Sequence, residues 1–457
     1  MRRVLIIAAI LLLPITPIVL VVTGVLKSKP ATVSPVTLTV WGTQDDERAL
    51  ATLTEKYRQT RSYVTVQYTK IREEDYLNQL VNAWAQGTGP DIFFAPSNWI
   101  GKMSQYSVPM PSNLTVPHVI VSKGLLGTTT KVTTGNRTAP SVAALSNTFV
   151  ETVSDDVVRD GQIWGLPLSM DTIVVYYNKD LTNNAKIFEP AATWSQLQSQ
   201  LTANKLTQTD EQGKLVQSGV ALGTTNNVAY ANDLLALLMM QNGSVMTTAD
   251  KQAHLNDDAG LQALNFYLSF AQPRKNNYSW DATQTNARDA FIQGKVAYYF
   301  GTLADRNVIG ATNVNWGVTP MFHIRATGDN DGTTNSERFI DMAKYDVLMV
   351  SKSSATAKRS TQAWNYVEFI SQPANVGSYM QLTSRLPAAT SLLAPFENNV
   401  DLSVFAKQLL TAKTWYRGTD GVAVDGYLTQ LLNAGLEGKT DLIELLNRAN
   451  TQIQSTL

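Results

Sequence analysis

The stretch DGQIWGLPLSMDTIVVYYNKD, residues 160–180, decides how the rest of the chain is read. It opens with a turn at Asp160–Gly161, passes Pro167, and runs into a β-branched and aromatic segment suited to a buried strand. Asp171 stands at the entry to that segment, and Tyr176 and Tyr177 sit near its far end. Alternation along a strand sends the two tyrosines to opposite faces, so at most one can approach a cleft. Asp171 therefore carries the question of whether this is an active site, a binding cleft or plain core.

Upstream, VTLTVWG (36–42) alternates like a strand, and DDERALATLTEKYRQTR (45–61) puts Leu50, Leu53 and Tyr57 on one helical face. YVTVQYTKI (63–71) is a second alternating strand. EEDYLNQLVNAWAQG (73–87) is a helix with Tyr76, Leu77, Leu80, Val81 and Trp84 inward and Gly87 as its stop. PDIFFA (90–95) is a buried strand. This alternation implies an α/β fold with a parallel sheet covered on both faces. Residues 107–150 lack a sustained period and are rich in Pro, Gly and Thr, which reads as an irregular excursion.

Downstream, Thr193 and Gln196 form a capping-box pattern ahead of a helix. Helices are expected at 229–242, 259–272 and 284–293, and strands at 295–300, 315–321 and 345–351. The polar run 326–339 reads as a loop, and helices are expected within 355–371, 401–410 and 440–454.

The N-terminus has Arg2 and Arg3 before an uncharged apolar run, residues 4–26, of membrane-spanning length. An uncleaved anchor is expected, with residues 28–35 as a tether and the body exported; a long cleaved signal peptide is the alternative. The chain has 37 acidic and 37 basic residues and no basic cluster, so nucleic acid is not an expected partner. The absence of cysteine excludes disulfides, thiolate metal sites, a thiol nucleophile and a lipidated cysteine.

His118, His254 and His323 are not at metal-ligand spacing, and HExxH and GxSxG are absent, so neither a metal nor a cofactor is expected. GLEGKT (435–440) lacks the first glycine of a phosphate loop and reads as a helix-terminal turn. TGDNDG (327–332) puts Thr327 and Arg338 at calcium-ligand positions, where neither is suitable. Asp45, Asp46, Asp91 and Asp171 fall near strand ends, and a carboxylate-pair hydrolase stays open on spacing alone. Asp91, after Gly-Thr-Gly-Pro, reads as a cap or turn former. Trp84, Trp194 and Trp364 sit on expected helices as core, whereas Trp41, Trp99, Trp280 and Trp415 sit at strand ends or in loops, where a ring can meet a sugar face.

The ordered set LTVWG (38–42), GTGPDIFFAPSNWI (87–100), the opening stretch, TWSQLQ (193–198), AFIQGKVAYYFG (290–301), WGVTPM (316–321), AWNYVEFI (363–370) and RLPAATSLL (385–393) resembles the family-1 extracellular solute-binding proteins. These are the maltose-binding-like receptors of ABC importers, and the resemblance runs from about residue 37 to the end. It implies a two-lobe, type II periplasmic-binding-protein-like fold whose hinge crossings fall at about 168–172, 341–345 and 385–387. The N-lobe would comprise 36–169 and 345–386, and the C-lobe 170–344 and 387–457.

The resemblance also implies ligand contacts at Thr43, Gln44 and Asp45; at Ser97, Asn98 and Trp99; at Asp171; and at Asn226, Asn227 and Tyr230. Further contacts would fall on Gly301, Thr302, Asp305, Tyr345, Arg385 and Trp415. Asp171 and Trp99 match the family pattern best, with Asp171 accepting a ligand hydroxyl and sensing closure. Two departures stand out: the apolar N-terminus replaces a lipobox cysteine, and the 107–150 segment is longer than the family leads one to expect, a surface excursion in the preferred reading and a lid at the cleft in the alternative. The expected function is capture of a solute, with an oligosaccharide as the leading class, and its delivery to an ABC permease by a monomeric, membrane-tethered receptor. The rivals are an anchored glycan-cleaving enzyme and a surface receptor uncoupled from transport.

Overall fold

The computed structural model describes residues 33–44, 46–124, 127–324, 339–400 and 402–457. The apolar run 4–26, Asp45 and most of the 326–339 loop lie outside them. Among the described residues no helix is long and apolar enough to cross a membrane.

The first unit begins β1 (Val36–Gly42), α1 (Glu47–Arg58), β2 (Val64–Lys70), α2 (Glu73–Ala85) and β3 (Ile92–Pro96). β1 pairs in parallel with both β2 and β3, as the strand–helix alternation requires. Glu47 in the first turn of α1 and Lys56 and Arg58 in its last complement the helix dipole. Leu50, Leu53 and Tyr57 are buried on the face read from the sequence, and each leucine contributes roughly 1.5–3 kcal/mol by leaving water. In α2 the inward set is narrower than expected: Tyr76, Leu80 and Ala83 are buried, and Leu77, Val81 and Trp84 are half-buried.

The opening stretch divides into β4 (Ser169–Thr172) and β5 (Val174–Asn178). β6 (Leu215–Val220), helix α3 (Ala231–Gln241), β7 (Val296–Gly301), helix α4 (Leu303–Gly310) and β8 (Trp316–Thr319) follow. The second sheet has the order Gln208–Thr209, β6, β7, β5, β8. Only its β6–β7 pairing is parallel; β5 runs antiparallel to β7 and β8. Tyr176 is buried in this sheet with its hydroxyl donating to Thr302 O at 2.7 Å.

The chain then forms β9 (Asp341–Lys344) and β10 (Asp346–Ser351). β10 returns to the first sheet, antiparallel to β3. After helix α5 (Pro373–Thr383) come β11 (Leu386–Pro387), β12 (Ala412–Lys413) and helix α6 (Gly421–Glu437). β11, β4, β9 and β12 make a separate four-stranded sheet between the other two. The chain thus passes from one sheet to the other through β4, β9 and β11, giving two α/β lobes joined by hydrogen-bonded crossings.

The 107–150 segment is not irregular throughout, contrary to the expectation. His118–Gly124 and Gly127–Thr133 pair as an antiparallel hairpin, and Val142–Thr148 is helical. Thr129, Thr130 and Lys131 are all exposed, so the second strand lacks the apolar alternation that would reveal it. The helix expected over 355–371 is two helices, Lys352–Thr356 and Ser360–Ser371, broken where Lys358 takes φ 58°. The capping box at Thr193 and Gln196 is present, and α6 ends at Gly438 with φ 65°, the turn read from GLEGKT.

Candidate functional site

A cavity of about 720 Å³ lies between the lobes, a volume suited to a small-molecule ligand. The crossing sheet is its floor: Leu168–Asp171, Met342–Asp346 and Arg385–Leu386 all line it. One wall comes from the first lobe, through Gln44, Asp46, Glu73, Phe94, Asn98 and Tyr379. The facing wall holds Asp233 of α3, Leu303 and Asn307 of α4, Trp415, and Asp425 of α6.

Of the contacts expected from the sequence, Gln44, Ser97, Asn98, Asp171, Tyr345, Arg385 and Trp415 line this cavity. Asp171 lies opposite Lys344 in the β4–β9 register. Its two carboxylate oxygens accept from Leu303 N at 3.1 and 3.0 Å, and one also accepts from Thr172 N at 2.8 Å. Burial pushes the carboxyl up to about 6, against the pull of the Leu303 and Thr172 amides and the Thr302 hydroxyl. Asp171 therefore anchors the N-terminus of α4 to the crossing strand, a role the sequence does not suggest.

Tyr345 also has a partner: its hydroxyl donates to Asp156 Oδ2 at 2.6 Å, and Asp156 Oδ1 accepts from Thr414 Oγ1 and Arg417 Nε at 2.6 and 2.9 Å. Asn98 Nδ2 donates to Asp425 Oδ2 across the cavity at 3.2 Å.

The remaining expected contacts among the described residues do not line the cavity. Trp99 is half-buried in the turn Ser97–Trp99 and packs against the hydrophobic core. Thr43 is half-buried in a bend, and Asn226 is exposed. Asn227 is buried, and its amide is taken up by Asp281 O, Gln284 O, Thr224 and the indole of Trp280. Trp280 itself is fully buried and presents no face to a sugar. Tyr230 precedes α3 and bonds to Thr302; burial pushes its hydroxyl up to about 12. Thr302 and Asp305 are the capping pair of α4, with Thr302 N donating to Asp305 Oδ2 at 3.0 Å. Gly301 is confined there, since a Cβ would lie 2.6 Å from the Tyr299 ring and 2.8 Å from Asp305. Asp91 is no turn former: its oxygens accept from Arg359 Nε and Nη2 at 3.0 and 2.8 Å and from Thr39 N and Oγ1 at 3.0 and 3.2 Å. No described residue of the 107–150 segment lines the cavity.

The charged lining is mostly new. Asp46, Glu73, Asp171, Asp233, Asp346 and Asp425 face the cavity together with Lys344 and Arg385. Lys344 Nζ pairs with Asp233 at 2.9 Å, and Arg385 Nη1 pairs with Asp46 at 3.0 Å. Tyr379 OH donates to the same Asp46 at 2.8 Å. Burial pushes Asp346 up to about 6; Glu73 and Asp46 push it further, while Arg385 and Lys344 pull it down. Among the described residues no group of three or more His, Asp or Glu is placed to hold a metal ion.

A family model described as bacterial extracellular solute-binding protein matches residues 49–403. A Brucella abortus protein described as a binding protein is 27% identical over 276 residues, which cover 58% of this chain and 61% of that one. The maltodextrin-binding protein of Bacillus subtilis is 24% identical over 281 residues, with the same 58% and 61% coverage. The chain thus spans about three-fifths of the length of the curated relatives it matches, 61% in each case. The crystal structure of the cyclic α-maltosyl-1,6-maltose-binding protein from Arthrobacter globiformis superposes with a TM-score of 0.70 at 17% identity. That match covers 93% of this chain and 99% of the other, and at such identity it is a likeness of fold.

Proposed function

We propose that this chain, which belongs to the bacterial extracellular solute-binding proteins, captures an oligosaccharide between its lobes and delivers it to an ABC permease. The observation that carries this is the interlobe cavity, with polar groups from both walls and a half-buried aromatic ring at Trp415. Rings of this kind cover the C–H face of a sugar, while amides and carboxylates take its hydroxyls. The named ligands of two relatives, maltodextrin and a cyclic maltosyl sugar, support the same class.

No covalent step is required. Residues 36–169 with 345–386 form one body and 170–344 with 387–457 the other, rotating about β4, β9 and β11. A solute touching both bodies favours the closed arrangement by as much as its contacts differ between open and closed. The permease reads the closed surface. Residues 4–26 tether a monomeric receptor to the outer face of the membrane.

The test is a thermal-shift and calorimetric screen of linear and cyclic oligosaccharides against the full chain, held in a detergent without a sugar headgroup. A raised melting temperature with the saccharide recovered intact supports the proposal. Cleavage of the saccharide, or no response to any of them, contradicts it.

A further inference from the structure

The charge lining the cavity is lopsided: six carboxylates against two cations. Both cations are occupied within the wall, Lys344 by Asp233 at 2.9 Å and Arg385 by Asp46 at 3.0 Å. The α4 amide of Leu303 occupies Asp171. Glu73, Asp346 and Asp425 remain. The Glu73 and Asp346 carboxylates have no hydrogen bond or ion pair with another described residue, and the Asp425 carboxylate accepts only from the neutral Asn98 amide at 3.2 Å; Lys344 attracts Asp346 and Asp425, and Arg385 attracts Asp346, while both cations are paired elsewhere.

A second observation points the same way. Asp46 is 1% exposed in the cavity wall, and its Oδ1, although 3.0 Å from Arg385 Nη1, receives no hydrogen bond. At this one position the carboxylate is held by charge against Arg385 and by the Tyr379 hydroxyl, and one of its oxygens is left without a hydrogen-bond donor.

The placement of the excess matters for closure. Glu73 begins α2 and Asp346 begins β10, both in the first lobe, whereas Asp425 lies on α6 of the opposite wall. Bringing these walls together concentrates like charges and removes water from them, and both effects oppose closure. Hydroxyl groups can donate to the carboxylates but leave their charge in place. An ammonium group supplies donors and the missing positive charge together.

We propose that the solute is an oligosaccharide bearing at least one protonated amine, held between Glu73, Asp346 and Asp425. This rests on the oligosaccharide reading above and narrows it. Closure then depends on the ammonium group, so a neutral saccharide of the same shape binds more weakly.

The test compares two matched pairs by calorimetry on the full chain: maltotetraose with its 6-amino-6-deoxy analogue, and N-acetylated with fully deacetylated chitotetraose. Spermidine serves as an amine without sugar. The amine member of a pair should bind at least about tenfold tighter, and the advantage should shrink as salt is raised. Asp425→Asn should remove most of that advantage without lowering the unliganded melting temperature, because the charged carboxylate is disfavoured where it stands; Asp346→Asn should do the same from the other wall. If the neutral member binds as well as the amine, the amine proposal is overturned and the oligosaccharide reading stands. If spermidine alone binds as tightly as the amino saccharide, the amine stands and the saccharide is overturned. If nothing in the panel binds, both are overturned.

Discussion

Asp171 and Leu303 are joined by a forked contact in which both carboxylate oxygens, at 3.1 and 3.0 Å, accept from one backbone amide. The residue at the first crossing thereby fixes the start of α4, which forms part of the facing wall of the cavity. Asp171→Ala leaves the first amides of that helix without their acceptor. It should cost about 1–3 kcal/mol in denaturant unfolding and weaken solute binding as well. A variant that binds less tightly at undiminished stability would show that the carboxylate serves the ligand alone.

Four carboxylates each contribute a pH response of the same sign to the unliganded protein, opposed by the depressed Glu151, Asp250, Asp281 and Asp420. Asp171, Asp341, Asp346 and Asp425 are each pushed up to about 6, chiefly by loss of hydration. Because their folded values exceed the unfolded value near 4, the stability they contribute is present below about pH 4 and lost as the pH rises through about 6. For Asp346 the neighbouring Glu73 and Asp46 enlarge the effect and Arg385 and Lys344 reduce it. Asp346→Asn should flatten the fall of melting temperature between pH 4 and pH 7 in scanning calorimetry; an unchanged slope would contradict its assignment.

Asp91 and Arg359 predict a purely structural phenotype. The carboxylate is 1% exposed and accepts four hydrogen bonds, from Arg359 and Thr39. Asp91→Ala should destabilise the first lobe by about 2–4 kcal/mol. The solute dissociation constant, measured well below the new melting temperature, should stay within about twofold of the parent.

The two loop tryptophans should behave differently. Trp415 lines the cavity and Trp99 does not. Trp415→Ala should weaken a saccharide by about tenfold and remove much of the ligand-dependent change in tryptophan fluorescence. Trp99→Ala should do neither; the reverse pattern would restore Trp99 as the sugar platform.

The scaffold is legible in the sequence where periodicity and turn chemistry agree. β1, α1, β2, α2 and β3 follow from alternation and amphipathicity, and β4, β9 and β11 fall on the crossings that the family resemblance implies. α5 and α6 are not legible in the same way. α5 contains Gly377, and α6 contains Gly421, Gly426 and Gly435, a poor helix former at each position. Without those helices, Tyr379 and Asp425 stay hidden from the site. Lys344 and Asp346 flank Tyr345 at a crossing that the resemblance marks, but strand alternation does not say which neighbour meets a cavity. Asn227, Thr302 and Asp305 have residue types that suit a sugar site, yet their polar groups are taken up by the fold itself. The apolar run at residues 4–26 lies outside the described residues.

Closure upon a saccharide is the central claim, and the cysteine-free chain allows it to be measured without background labelling. Asn78→Cys on α2 and Lys214→Cys beside β6 place one dye on the exposed surface of each lobe. Single-molecule energy transfer would then be followed while the strongest saccharide from the binding screen is titrated in. A shift to higher transfer that saturates with the calorimetric binding curve, with the saccharide recovered intact, is the predicted result. Saturated binding with unchanged transfer, or a cleaved saccharide, would contradict the account.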